Sequence, residues 1–227
     1  DVKPEQFMML TFSKAASLEF RYRINALVPE YRGLIKISTF HGFCFELLGQ
    51  LGDMDKLQNV IQDATQLLRD EEVDVSHITN KSVLLLDEFQ DISKEEWGLV
   101  QQIVSIAGNI RVFAVGDDDQ NIYEFRGASN DHLRMFKSIF QAKQYSLLNN
   151  YRSVPSVVGF NNKYLNRIPS RLKDGALKSK RRERHSSVEL FKYSSNYFMD
   201  AVVNDVYQCK LNGSKAVLVE KNEEALW

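Results

Sequence analysis

Cysteine is scarce in this chain: Cys44 and Cys209 are the only two among 227 residues, and they lie far apart. A disulfide framework is therefore excluded as the source of stability, and both thiols are expected to be reduced. No apolar run approaches the roughly 20 residues that span a bilayer, so no membrane helix is expected. The chain opens without a signal-peptide pattern, which gives a cytoplasmic expectation. Neither charge sign is in excess, because 29 Lys and Arg face 30 Asp and Glu, for a net charge of −1. That balance excludes a uniformly basic nucleic-acid coat while leaving room for a local basic groove. Internal repeats and low-complexity tracts are absent too, which excludes solenoids and arrays.

What is present is an ordinary globular composition, 44% hydrophobic and 26% charged, able to bury a core. Short apolar runs alternate with amphipathic stretches. Strands are predicted at 7–12, 35–40, 83–86, 111–115 and 145–148, with the run at 83–86 apolar throughout, as a strand buried on both faces should be. Helices are predicted at 14–28, after Phe40, and around Leu57–Leu68, where apolar residues recur at helical spacing. Ser93 and Glu96 form a capping-box pair ahead of a helix carrying Trp97, Val100, Val104 and Ala107. Pro155 suits the first turn of a helix that ends near Arg167. A Pro-, Gly- and Ser-containing basic stretch at 168–187 is predicted to be a linker or loop. Beyond it, 188–193, a helix near 198–211 and 216–219 suggest a further β-α-β unit. Alternating strand and helix implies an α/β fold with a parallel sheet flanked by helices.

In such sheets ligands bind beyond the carboxyl ends of the strands. Two predicted strands end in acid: one runs into Asp87-Glu88, the other into Asp117-Asp118-Asp119. An apolar strand ending in Asp-Glu suits a hydrated magnesium on the first carboxylate and a polarised water on the second. An acidic pair after a strand is also a common turn or cap. Calcium binding by Asp117, Asp119 and Asn121 is excluded, because Ile122 stands where an EF-hand needs Gly and Ala128 where it needs Glu.

Five segments resemble motifs of the UvrD/Rep/PcrA-like superfamily 1A DNA helicases, in that family's order. They are TFSKAA (11–16, motif Ia), STFHGF (38–43, Ib), LLLDEFQD (84–91, II), VGDDDQNIYEFRGA (115–128, III) and NNYRS (149–153, IV). AVLVEKNEEAL (216–226) is similar, more weakly, to the opening of that family's second motor domain. The resemblance implies a RecA-like P-loop NTPase core over 1–167 with a shortened helical insertion near 45–80. A linker at 168–187 and the beginning of a second RecA-like domain at 188–227 follow.

It also implies roles. Asp87 would position Mg2+, Glu88 would be the catalytic base, and Gln120 would sense the γ-phosphate of ATP. Tyr151 would stack on adenine, and Arg152 would reach the γ-phosphate as a charged donor. Phe12, Lys14, Phe40, His41, Tyr123, Phe125 and Arg126 would contact single-stranded DNA, the aromatic rings by sequence-tolerant stacking. Phe125 stands where many members carry Trp.

The family's phosphate-gripping G-x-x-x-x-G-K-[ST] string does not occur; Asn212-Gly213-Ser214-Lys215 has the wrong order. Motifs V and VI are missing as well. The chain is accordingly expected to begin downstream of the P-loop and, in isolation, to hydrolyse ATP very poorly. The resemblance implies an ATP-dependent helicase or translocase moving 3′ to 5′ on single strands. The alternative is a non-hydrolysing DNA-binding or scaffold module, against which the retained Asp87, Glu88, Gln120 and Arg152 argue. An RNA helicase is disfavoured by the GDDDQ-x-I-Y-x-F-R-G string. Neither protein partners nor oligomeric state can be read from the sequence.

Overall fold

The computed structural model describes residues 2–49, 59–121, 130–168, 171–182, 188–190, 192, 198–210 and 213–218. The chain divides into two compact units, one of residues 1–148 with 162–177 and the other of 149–161 with 178–227.

The first unit is built on a parallel four-stranded sheet in the order β2-β1-β3-β4. Its strands are β1 (Phe7–Thr11), β2 (Lys36–Thr39), β3 (Val83–Leu86) and β4 (Arg111–Ala114). Successive strand residues point to opposite faces, and in the central strands both sets are covered. Met8, Leu10, Leu84 and Leu86 are fully buried or nearly so, and Met9 and Val83 are buried on the other face. That double burial is why the Val83–Leu86 run is apolar throughout. The edge strand β4 instead alternates, with Phe113 and Val115 exposed.

Helices connect the strands. Ser13 caps α1 (Lys14–Leu27), its hydroxyl accepting the N–H of Ala16, and Thr39 likewise caps α2 (Phe40–Leu47). In α3 (Val60–Arg69) the buried residues Val60, Ile61, Ala64, Thr65 and Leu68 fall on one stripe, which packs against α2 and the helix Lys94–Ala107. A short α4 (Ser76–Thr79) precedes β3. The predicted capping box is present at α5 (Lys94–Ala107): Ser93 Oγ accepts the Glu96 N–H at 3.2 Å and Glu96 Oε2 accepts the Ser93 N–H at 2.9 Å. Gly108, at φ 69°, ends that helix in a conformation glycine adopts without strain. Helix α6 (Asn130–Ile139) was not foreseen. Its Phe136 joins Phe89, Trp97 and Phe140 in an aromatic cluster with centroid separations of 4.8–6.3 Å.

In the second unit, β5 (Asn149–Asn150) pairs in parallel with β6 (Lys178–Ser179), and α8 spans Phe198–Gln208. Helix α7 (Pro155–Leu165), with Pro at its first position, belongs to both units along its length. Two predictions are corrected here. The strand expected at 145–148 is not formed; pairing begins only at Asn149, where Asn149 and Asn150 find a partner inside the stretch read as a linker. The strands expected at 188–193 and 216–219 are also not formed among the described residues. Leu190 and Leu218 are 85% and 96% exposed there, and a strand without a neighbour has no ladder to hold it.

Candidate functional site at the sheet's carboxyl edge

The ends of β3 and β4 carry the acids. Asp87 continues the ladder, its N–H donating to the Leu10 carbonyl at 3.1 Å, and the chain then turns sharply. Glu88 makes that turn in the left-handed region, at φ 50° and ψ 45°. A non-glycine residue there carries a strain on the order of 1–3 kcal/mol, held only when its surroundings demand it. Two anchors demand it. Phe89, 1% exposed, is locked between Trp97 and Phe136 at centroid distances of 5.7 and 5.2 Å. Its N–H also donates to the Val115 carbonyl of the neighbouring strand end at 2.9 Å. The strained turn leaves the Glu88 side chain exposed and Asp87 half-buried.

Gln90 supplies a third anchor. Its side chain, 1% exposed, donates through Nε2 to Glu88 Oε2 at 2.8 Å and more weakly to Asp91 Oδ2 at 3.3 Å. Its Oε1 accepts the Asp117 N–H at 2.9 Å. Gly116 allows this approach, because a Cβ there would lie 2.9 Å from Gln90 Oε1 and 3.2 Å from its backbone nitrogen.

Burial, and then the Glu88 carboxylate beside it, pushes the Asp87 carboxyl above the ordinary carboxylate range. Burial and Glu88 raise Asp91 in the same way, and Asp91 Oδ1 is buried without a hydrogen-bond partner among the described residues. No Lys or Arg pairs with Asp87 or Glu88 among the described residues. Desolvated, uncompensated carboxylate oxygens of this kind fit a hard divalent cation.

The Asp117-Asp118-Asp119 cluster is different. Its oxygens lie within 4.8 Å of one another, a spacing that suits a metal, but cations of the chain already sit there. Arg171 donates to Asp119 through Nε at 2.7 Å and Nη2 at 2.8 Å. Lys173 Nζ pairs with Asp117 and lies 2.9 Å from Asp119 Oδ2. Burial alone would raise the Asp119 carboxyl, yet these donors hold it below its usual value. Gln120 is exposed, and its Nε2 donates to Asp117 Oδ2 at 2.7 Å.

The DNA-contact candidates separate. Phe12 is half-buried at the end of β1 and Lys14 is exposed at the start of α1. Phe40 is 3% exposed within the hydrophobic core, so it has no ring face for a base and leaves the contact set. His41 is half-buried, and burial lowers its pKa, leaving a neutral ring at neutral pH. Tyr123, Phe125 and Arg126 lie outside the described residues.

In the second unit Tyr151 is 72% exposed, its ring free of the core. The turn that presents Tyr151 and Arg152 is fixed by Asn150, whose Oδ1 accepts the N–H groups of Arg152 at 3.0 Å and Ser153 at 2.7 Å. Strand β6 braces it: Ser179 Oγ donates to the Ser153 carbonyl at 2.7 Å and Arg181 Nη1 to the Arg152 carbonyl at 2.8 Å. Sequence reasoning missed Gln90, Gly116, Arg171 and Lys173. The first two stood inside quoted motifs; the last two sat in a stretch with no motif.

A parallel α/β sheet with paired acids at its carboxyl edge belongs to the class of open α/β folds that bind ligands beyond the strand ends. Within that class the chain belongs to the UvrD/REP helicase family: the family's N-terminal domain matches residues 1–66 and 53–141. DNA helicase II of Haemophilus influenzae is 34% identical over 89 residues, covering 39% of this chain and 12% of that protein. ATP-dependent DNA helicase PcrA of Staphylococcus epidermidis is 23% identical over 250 residues, covering 73% and 34%. The chain thus spans a minor part of either relative's length. A solved Pif1 helicase from Candida albicans covers 73% of this chain and 51% of its own at 15% identity, with a TM-score of 0.24. Among the described residues no helix is long and apolar enough to cross a membrane.

Proposed function

We propose that this chain is part of an ATP-dependent DNA helicase or translocase that moves 3′ to 5′ along single strands in the cytoplasm. The observation that carries the reading is the strained turn at the β3 tip. It presents Glu88 beside Asp87, with no basic partner for either among the described residues. Asp87 would hold Mg2+, which when bound neutralises charge on the triphosphate. Glu88 would accept the proton of the attacking water, and the Gln120 amide would report the γ-phosphate.

Tyr151 and Arg152 are assigned to adenine stacking and phosphate contact, a reading supported by the exposure of both side chains on a braced turn. DNA contact is assigned to Phe12, Lys14, His41, Tyr123, Phe125 and Arg126. Residues 1–167 would form most of the first motor domain, with a linker at 168–187 and the second motor domain opening at 188. The isolated chain, which carries no P-loop string, would turn over ATP very poorly.

The test is Glu88→Gln in the full-length protein, with phosphate release followed in the presence of single-stranded DNA. Turnover should be abolished while nucleotide binding survives. Undiminished turnover would remove Glu88 from the reaction, and an absence of any turnover in the unaltered protein would favour a non-hydrolysing DNA-binding module.

A further inference from the structure

We propose that Gln90 is a positioning residue that holds the activating acid Glu88 and ties it to the phosphate-sensing loop after β4. The inference rests on the reading of Glu88 as the catalytic base, and it assigns a task to a residue that the motif comparison left without one.

The chemistry of the amide fixes its orientation. A backbone N–H can only donate, so the Gln90 atom facing Asp117 N at 2.9 Å must be the carbonyl oxygen. An ionised carboxylate can only accept, so the atom 2.8 Å from Glu88 Oε2 must be the amide nitrogen. One buried side chain therefore uses both of its ends on two different strand tips. No other uncharged side chain of that length offers a donor and an acceptor together.

From Glu88 a continuous hydrogen-bonded path then runs through Gln90 to Asp117, and from Asp117 Oδ2 to Gln120 Nε2 at 2.7 Å. The base and the γ-phosphate sensor are the two ends of that path. Gly116 is part of the same device, since any side chain there would press on Gln90 Oε1. Phe89 holds the Glu88 backbone in its left-handed conformation, so the bond from Gln90 to the carboxylate is what fixes where the base points.

The test uses two variants in the full-length protein. Gln90→Glu keeps the acceptor for Asp117 and loses the donor to Glu88. Gln90→Met fills a similar volume and loses both bonds, so the result does not depend on tolerance of another buried carboxylate. Each should lower kcat for DNA-stimulated ATP turnover by about 10²-fold, the scale of a slightly misplaced reacting group, with KM for ATP unchanged. A merely structural role would instead lower the melting temperature and alter kcat and KM together.

A double-mutant cycle separates the two hypotheses. Gln90→Met placed on Glu88→Gln should add no further loss to the residual rate read in single-turnover experiments, because the group it positions is already gone. Multiplicative losses, or a Gln90→Met protein with undiminished kcat, would overturn the proposal while leaving Glu88 in place. Undiminished turnover in Glu88→Gln alone would overturn the underlying reading.

Discussion

Arg171 and Asp119, 52 positions apart, meet in a two-point ion pair with distances of 2.7 and 2.8 Å. The pair stitches the segment after α7 back onto the loop after β4, within the first unit. Asp119 is 5% exposed at its side chain and Arg171 17%, so solvent screens this contact far less than a surface pair.

Arg171→Ala should accordingly destabilise the protein by about 1–3 kcal/mol, since it removes the two-point partner of a buried carboxylate and leaves it, beside two others, with Lys173. Urea unfolding measures this; a loss within about 0.5 kcal/mol would show the pair to be idle. The pH dependence follows from the depressed Asp119 carboxyl. Its contribution is complete above the unfolded value of about 3.9 and disappears as pH falls through the lower folded value. Arg171→Ala should therefore flatten the acid limb of the stability curve, and an unchanged limb would count against this assignment.

Glu96 presents the opposite sign. Burial raises its carboxyl, partly opposed by the hydrogen bonds to Ser93. Stability from a group raised in the folded state is present below its unfolded value of about 4.3 and lost as pH rises through the folded one. Glu96→Gln keeps an acceptor for the Ser93 N–H and removes the charge. It should be at least as stable as the parent at pH 7, whereas Glu96→Ala, which loses the reciprocal cap, should cost about 1 kcal/mol. Thermal melts of the two variants check this, and a Gln variant as weak as the Ala variant would show that the charge itself is needed.

Phe125 is the strongest remaining stacking candidate now that Phe40 is placed in the core. Phe125→Ala should weaken single-strand binding by about 1–3 kcal/mol, the range for losing one base stack, and leave ATP turnover running without productive unwinding. Fluorescence anisotropy with a labelled oligonucleotide, read beside an unwinding assay, decides it; intact unwinding would dismiss the platform.

Some of this protein was set by local sequence. The runs at Phe7–Thr11 and Val83–Leu86 are long and apolar enough that only a buried strand suits them, and Ser93 with Glu96 writes its cap within four residues. The acids at 87–88 follow from the same logic, because an apolar strand must end somewhere and a carboxylate there faces solvent and ligand. Other features were decided only in three dimensions. Phe40 reads as a stacking ring in its motif, yet the packing of α2 buries it, because local sequence does not say which face of a helix meets the sheet. Asn149 and Asn150 became strand only because Lys178 and Ser179 came to lie beside them. Gln90 and Gly116 likewise acquire meaning from a contact 27 positions distant, between Gln90 and Asp117. A hydrogen bond between strand tips depends on sheet order, and sheet order is a property of the whole fold.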